Sequence, residues 1–299
     1  MRVYVESILP CSAELAWEEV RTSRLLLEVA RPLVVLRPLS GERFTELWTS
    51  GQTIHCRTFL FGVIPLGVRT VELFIAFAMM ILAMLKLHGF AQSGNTFKVA
   101  FMLRALGVPW EAMHVTFDDF AKGVTRSEDW RGGVNSMGEV PVLDDGARRL
   151  TQSGVILTYL AGKHGRFIGA TDDEKFEALR WLFFDNHKFT SYFASYRFNK
   201  SFGATAPDPA VMNWLRGRMD NAFGIVDKHL QKSAFLVGNA PSIADFSLSG
   251  YLFYPVEESG YDFPARFPAM RAWLERLRAL PGWGDPYDVL PGERVAPKW

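Results

Sequence analysis

The sequence predicts an α/β domain followed by an all-α domain, with a partial α+β segment in front of them. Three observations support this order. Residues 1–85 contain no lysine and no aspartate, and both occur regularly afterwards. Residues 85–163 alternate short strand patterns with helical ones. Beyond Gly169 only helical periodicity remains. We therefore divide the chain into residues 1–75, an apolar connector at 76–83, residues 84–164 and residues 172–299.

The composition is that of a globular protein whose expected partner is a small molecule. The 299 residues are 48% apolar and carry a formal net charge of +1, with 33 basic and 32 acidic side chains. Because there are no dense basic runs, a nucleic acid is not expected to bind. The two cysteines, Cys11 and Cys56, are expected to be reduced thiols of a cytoplasmic protein, since no secretory leader is recognised.

An uninterrupted apolar run occupies residues 73–85. It is thirteen residues long, whereas a membrane-spanning helix needs about 20. We therefore expect a buried element and no membrane association.

The first segment begins with a strand pattern at residues 3–9 and a helix pattern at 12–20. Two further strands are predicted at 33–39 and 53–61. This order resembles the beginning of the START-like (SRPBCC) family over residues 1–75, without the long helix that ends such a domain. The alternatives are that this segment carries a lipid-like ligand, or that it is a fusion or upstream reading frame joined at Met84.

The second segment follows the order βαβ and then ββα. Strands are predicted at 85–90, 110–117, 140–143 and 148–150, and helices at 97–106 and 153–163. In the third segment, helices are predicted at 173–198, 209–232, 243–257 and 268–280, followed by an irregular tail at 281–299. Ser242 and Asp245 have the spacing of a reciprocal capping box at the start of one of these helices.

Four motifs occur in the order and spacing of glutathione S-transferases: SGNTFKV (93–99), GEVPVL (138–143), TQSGVILTYL (151–160) and APSIADFSL (240–248). The chain resembles that family over about 215 residues. The resemblance implies a thioredoxin-like glutathione-binding domain at 84–164 and a helical glutathione transferase domain at 172–299. It also implies a cytoplasmic homodimer that acts in detoxification.

The resemblance also implies where glutathione binds. It makes Pro141 a cis-proline and pairs the backbone of Val140 with the cysteinyl unit. Gln152 and Ser153, at a helix start, would bind the γ-glutamyl carboxylate, and Arg126 the glycyl carboxylate. The alternatives are an ordinary trans bond at Pro141, a Ser153 that only caps its own helix, and a solvated Arg126.

The reaction centre of this family lies between the first strand and its helix and uses a tyrosine, a cysteine or a serine. No tyrosine lies between Val5 and Thr158, and no cysteine follows Cys56, which leaves Ser93. Asn95 matches an asparagine of related disulfide-reductase-like members. A hydroxyl donor at a helix start favours a thiolate over a thiol. The alternative is that Ser93 or Asn95 is simply the helix cap.

The acceptor pocket is predicted on the first long helix of the third segment, where Asp185, Phe189, Tyr192 and Tyr196 fall near one stripe. Tyr192 and Tyr196 are the candidates for binding the acceptor, although such stripes usually form core. The six histidines lack chelating spacing and there is no phosphate loop. We therefore expect glutathione as co-substrate and no metal.

The predicted function is conjugation of glutathione to a partly apolar electrophile by a serine-type transferase. Two alternatives remain open. One is glutathione-dependent reduction of disulfides or peroxides, and the other is a glutathione-binding protein without enzymatic activity.

Overall fold

The structure is a computed structural model. It describes the backbone of residues 34–38, 53–60 and 64–72, and residues 84–117, 122–294 and 297–299 in full. The chain divides into two compact units, Met1–Met84 and Leu85–Trp299. The strand predicted at 3–9, the helix at 12–20 and the connector at 76–83 lie outside the described residues.

The described part of the first unit is an antiparallel sheet of three strands, β1 (Val34–Pro38), β2 (Thr53–Leu60) and β3 (Ile64–Glu72), in that order. The first two agree with the prediction. Strand β3 was not predicted, because Pro65 and Gly67 interrupt its strand pattern. The register between β2 and β3 shifts opposite these two residues, at Thr58 and Phe59.

The second unit begins with a four-stranded sheet of thioredoxin-like topology, as predicted. Its strands are β4 (Leu85–Gly89), β5 (Trp110–His114), β6 (Val142–Asp145) and β7 (Arg148–Thr151). The spatial order is β5-β4-β6-β7; β4 pairs with β5 in parallel, and the other pairs are antiparallel. Strand β5 ends at His114, three residues before the predicted end.

Helices form most of the rest of the unit. Within the thioredoxin-like part they are α1 (Gly94–Leu106), α2 (Glu128–Gly133) and α3 (Ser153–His164). The helical part contains α4 (Asp172–Phe184), α5 (Thr190–Ser201), α6 (Pro209–Leu230), α7 (Ile243–Ser249), α8 (Phe263–Arg266), α9 (Pro268–Arg278) and α10 (Pro286–Val289). Among the residues described in full, no helix is both long and apolar enough to cross a membrane.

Two predicted helices are wrong in extent. The helix at 173–198 is divided by a π turn, Asp185–Phe189, where the Asp185 carboxylate accepts a hydrogen bond from the Thr190 N–H at 3.2 Å. Such side-chain bonds compete with the regular helical ladder. The helix at 243–257 ends at Ser249, because Pro255 cannot continue it, and only a short 3₁₀ turn follows at Val256–Glu258. The tail, predicted as irregular, contains α10.

Buried polar contacts fix α1 and α7 against the other helices. The Lys98 ammonium of α1 donates to the Asp185 carboxylate at 2.9 Å, and both side chains are fully buried. The Ser247 hydroxyl donates to the same carboxylate at 2.6 Å. The capping box of Ser242 and Asp245 is confirmed, and Asp245 also accepts from the Trp273 indole at 2.8 Å. The start of α1 therefore has a defined position relative to the helical part.

Candidate functional site

The N-terminus of α1 is built around Ser93. This residue has an extended backbone and is 6% exposed, and its Oγ accepts a hydrogen bond from the Thr96 N–H at 3.2 Å. Ser93 is therefore the N-cap of α1, which is the alternative role that the sequence left open for it. A hydroxyl that accepts one bond still has its own proton to donate, so capping and binding of a sulfur are compatible.

Three buried polar atoms beside this cap have no hydrogen-bond partner among the described residues: Gln92 Oε1, Asn95 Oδ1 and Thr96 Oγ1. Buried polar atoms are normally satisfied, so a group of three at one helix start is unusual. The first N–H groups of a helix also lack partners within the helix and favour negative charge. The helix start favours an anionic atom, and the two amide oxygens, which can only accept, favour a ligand that also carries hydrogen-bond donors.

The loop that precedes Ser93 is held by the helical part. The Arg197 guanidinium donates to the Gln92 carbonyl at 2.9 Å and pairs with the buried Glu258 carboxylate. The Tyr254 hydroxyl donates to the Ala91 carbonyl. Burial raises the pKa of Tyr254 well above its usual value, so this donor stays protonated. This contact of Arg197 was not predicted from the sequence.

The C-terminal tail meets the same loop. The Ala91 N–H donates to the Pro291 carbonyl at 3.0 Å, and the Gln92 amide contacts the Glu293 carbonyl. The position of Ser93 therefore depends on three separate parts of the helical half.

Tyr251 brings a tyrosine hydroxyl to the helix start, which sequence analysis also missed. Its hydroxyl interacts with the backbone N–H groups of Gly94 and Asn95 and with the Ser93 side chain. Burial raises the pKa of Tyr251. Arg197 and these hydrogen bonds act to lower it, but the pKa remains above its usual value. The reaction centre was expected between the first strand and its helix, and the stretch shown to lack a tyrosine, between Val5 and Thr158, ends long before Tyr251. No local pattern indicates that a residue so distant along the chain returns to this place.

The other predicted glutathione-binding residues include four that lie at the starts of β6 and α3. The Val140–Pro141 peptide bond is cis, as predicted. Neither backbone polar group of Val140 is paired with another described residue. Gln152 has a positive φ of 67° and its amide donates to the Glu139 carboxylate at 2.9 Å.

Ser153 is the first residue of α3 and not its cap. Gln152 occupies the cap position without a side-chain capping bond. The Ser153 side chain is buried, so the alternative in which it only caps its own helix is wrong. The N–H groups of the first turn of α3 are left without a capping side chain, which is the arrangement that binds anions at helix starts.

The remaining predicted residues do not join these groups. Arg126 is exposed at the end of the 3₁₀ turn Val124–Arg126. Tyr192 packs against Trp214, with ring centroids 5.8 Å apart, and Tyr196 is a core residue next to Tyr261. Among the residues described in full, no cluster of side chains could hold a metal ion.

Comparison with known proteins supports two domains of one family. The family model described as glutathione S-transferase, N-terminal domain, matches residues 87–168, and that described as glutathione S-transferase, C-terminal domain, matches residues 189–281. Neither extends into the first unit, and the resemblance of residues 1–75 to the START-like family finds no support.

Individual proteins show the same likeness. A glutathione S-transferase structure from Pseudomonas fluorescens is 30% identical, with a TM-score of 0.61, and the match covers 69% of this chain and all of that one. The disulfide-bond oxidoreductase YfcG of Escherichia coli is 27% identical, over 66% of this chain and 91% of its own length.

A glutathione transferase homologue from Lodderomyces elongisporus, solved with two GSH per subunit, is 24% identical, with a TM-score of 0.62 and coverage of 70% of this chain and 99% of its own. This last likeness concerns the fold. The match at 30% identity extends over the whole of the Pseudomonas fluorescens chain. Together with the two adjacent family domains, it shows that the chain belongs to the glutathione S-transferase family.

Proposed function

We propose that this protein binds glutathione, activates its thiol at the N-terminus of α1 and joins the sulfur to a small, partly apolar electrophile. The observation that carries the proposal is the Ser93 hydroxyl, which caps α1 while retaining a proton and lies beside three buried polar atoms without partners among the described residues. Membership of the family and the two GSH molecules of the Lodderomyces homologue support it.

The proposed role of Ser93 is to stabilise a thiolate. Lowering the pKa of a thiol from about 8.5 to about 6.5 requires roughly 2.7 kcal/mol. One charge-assisted hydrogen bond together with a helix start can supply this amount. The thiol proton passes to solvent. The thiolate then attacks the electrophilic carbon, a C–S bond forms, and the leaving group departs with its bonding electron pair.

The remainder of glutathione would lie along the predicted binding residues. The unpaired backbone groups of Val140, which precedes Pro141, suit β-sheet-like pairing with the cysteinyl unit. The open start of α3, with Gln152 and Ser153, suits the γ-glutamyl carboxylate. Arg126 is the proposed partner of the glycyl carboxylate, and its exposure leaves it free to move toward a ligand.

Tyr192 and Tyr196 remain the proposed acceptor residues. The rings that contact the Ser93 loop are instead those of Tyr251 and Tyr254.

The proposal includes a cytoplasmic homodimer. Phe176 and Phe183 lie seven residues apart on one face of α4, and they are 71% and 74% exposed. Large aromatic side chains with this exposure are rare on a surface that stays in water. Val155, at the adjoining start of α3, is also exposed. A second copy of the chain, which presents the same apolar surface, is the proposed occupant.

Reduction of mixed disulfides is the alternative function, supported by the likeness to the Escherichia coli oxidoreductase and by Asn95, whose Oδ1 is buried and unpaired. In that reaction the glutathione thiolate attacks a disulfide sulfur, and the other sulfur leaves as a thiol after taking up a proton. A glutathione-binding protein without turnover is the third possibility.

The test compares turnover of a reactive aryl halide with turnover of a glutathione mixed disulfide, using the full chain and Ser93→Ala. Thr171→Ala is the matched control, because Thr171 caps α4 through the same 3.2 Å bond to a backbone N–H and is not part of the proposed glutathione site. Each variant should lose about 1 kcal/mol of stability as a cap is removed. Only Ser93→Ala should lose about 10- to 100-fold in aryl halide turnover, as expected for loss of one charge-assisted bond.

Dominant disulfide turnover would favour the reductase alternative. Glutathione binding without either reaction would favour the non-enzymatic one. Equal losses of turnover in Ser93→Ala and Thr171→Ala would contradict the assigned role of Ser93.

A further inference from the structure

Tyr251 is placed at the start of α1 by unusually close packing. A Cβ atom at Gly94 would lie 2.4 Å from the Tyr251 ring, and one at Gly250 would lie 2.7 Å from the Gly94 carbonyl oxygen. Neither distance is tolerated between real atoms. The two glycines therefore let the end of α7 approach the first turn of α1, and this approach carries the phenol to the Ser93 hydroxyl.

The Tyr251 hydroxyl meets more donors than acceptors at this position. The hydroxyl interacts with the N–H groups of Gly94 and Asn95 and with the Ser93 side chain. A phenol oxygen accepts through its lone pairs and has one proton to donate. Ser93 Oγ already accepts from the Thr96 N–H. The bond between the two hydroxyls uses one of their two protons, so one remains to donate to an anionic atom, and the other becomes available when that bond is exchanged for one to the same atom.

We propose that Tyr251 is a second hydroxyl donor to the glutathione sulfur, presented from the helical domain and acting beside Ser93. This inference rests on the proposed function. Hydrogen bonds from the helix N–H groups to the phenol oxygen make its O–H a stronger donor, since chains of hydrogen bonds polarise one another. Because this phenol remains neutral, it stabilises the thiolate as a donor and does not remove the thiol proton as a base.

The surrounding charges are consistent with a donor role. The Arg197 guanidinium lies 5.8 Å from the centre of the Tyr251 ring and is already neutralised by Glu258. Tyr254, Tyr287 and Glu258 are the other titratable groups of this cluster. Burial and the contacts of Tyr287 with Glu258 raise the pKa of Tyr287, so it also stays neutral. The Glu258 carboxylate is the anion of this cluster, and it is bonded to Arg197 and Tyr287, so it does not compete with the sulfur for the Tyr251 proton.

The test is the pKa of the bound glutathione thiol, measured from the ultraviolet absorbance of the thiolate against pH in the full-length protein. Tyr251→Phe keeps the ring that packs on Gly94 and removes only the hydroxyl. We expect this pKa to rise by about one unit, with kcat/KM at neutral pH about tenfold lower. The KM for glutathione should change less than kcat, because the bond acts on the sulfur.

Tyr261→Phe is the matched control. It removes a tyrosine hydroxyl from the same helical part, where the partners are Asp220 and Arg266 and α1 is not contacted. The thiol pKa should be the same in this variant as in the wild type.

An unchanged thiol pKa in Tyr251→Phe, while Ser93→Ala raises it, would overturn the role of Tyr251 and leave the proposed function standing. Tighter glutathione binding and a lower thiol pKa in Tyr251→Phe would also overturn it, since the phenol would then block the sulfur position. Absence of glutathione binding by the wild type would overturn the proposed function, and this inference with it.

Discussion

At the scale of single residues, the position of Ser93 depends on a buried ion pair. The Arg197 guanidinium donates through Nε to the Glu258 carboxylate at 2.8 Å, and both side chains are at most 4% exposed. The Tyr287 hydroxyl donates to the other carboxylate oxygen at 2.7 Å. Both oxygens of the Glu258 carboxylate therefore have hydrogen-bond partners. Arg197 can donate to the Gln92 carbonyl while its charge stays compensated by Glu258.

Removing the charge of Glu258 should therefore destabilise the folded protein. We expect Glu258→Gln to lower the free energy of unfolding by about 3 kcal/mol, because the Arg197 charge would stay buried without its partner. Urea unfolding measures the change. Glu275→Gln is the control: its carboxylate pairs with Arg278 on the surface of α9, and loss of such a pair costs below about 1 kcal/mol. Equal effects of the two substitutions would contradict the structural role of the buried pair.

Residues differ in how far the sequence could predict them. Ser93 and the cis bond at Pro141 were predictable, because each belongs to a short motif whose neighbours along the chain define its surroundings. Tyr251 and Arg197 were not, because their role arises from contacts with Gly94 and Gln92 that only tertiary packing brings about. Polar and aromatic residues of a helical domain carry no spacing pattern that distinguishes such contacts from ordinary core packing.

At the scale of elements, an ion pair joins the two strands of the β6–β7 hairpin. The Arg149 guanidinium of β7 donates to both oxygens of Asp144 in β6, at 2.6 and 2.8 Å, and His88 of β4 lies 2.9 Å away. The bond to Arg149 lowers the pKa of Asp144 below 3.8, against the opposing effect of burial, and the His88 bond lowers it further.

This pKa shift predicts a pH dependence of stability. A carboxyl group whose pKa is lower in the folded state stabilises the fold at pH values above its unfolded pKa, and the stabilisation is lost as pH falls through the folded value. The free energy of unfolding should therefore decrease as pH falls below about 4. In Asp144→Asn this decrease should be shallower, as measured by urea unfolding at a series of pH values.

Asp288→Asn is the comparison for this series. Asp288 is exposed and forms no ion pair with any described residue, so the slope should match that of the wild type. A slope unchanged in Asp144→Asn would contradict the contribution of the Arg149 contact.

Element boundaries show where sequence patterns stop being informative. The apolar periodicity of residues 173–198 continues through the π turn, because Trp181 and Leu182 before it and Phe193 after it are all buried. Periodicity alone therefore could not reveal it. The start of α1 was predicted too late for a related reason: its first turn contains Gly94 and Asn95, which are poor helix formers, and the Ser93 cap compensates for them.

At the scale of the whole molecule, the change in composition near residue 85 corresponds to the division into two compact units. The family domains fall within the second unit. Fold and family could be predicted from sequence because four motifs spread over that unit are in register. The acceptor could not, since an acceptor pocket is assembled from core-like residues of several elements.

The proposed homodimer gives a prediction at this scale. Phe183→Asp would place a charge in the apolar surface of α4, so the dissociation constant of the dimer should increase at least about 100-fold, as measured by analytical ultracentrifugation. Ile225→Asp is the control, because Ile225 is 44% exposed on a different helix, α6. A monomeric wild type, or equal effects of both substitutions, would contradict this interface.

Calorimetric titration of the full-length protein with glutathione, at two pH values on either side of the expected thiol pKa, tests whether Ser93 activates the thiol. We expect one molecule of glutathione to bind per chain. We also expect thiolate formation to release protons, and this release to be greatly reduced in Ser93→Ala. Absence of binding, or binding with the same proton release in wild type and Ser93→Ala, would contradict the claim that the N-terminus of α1 activates glutathione.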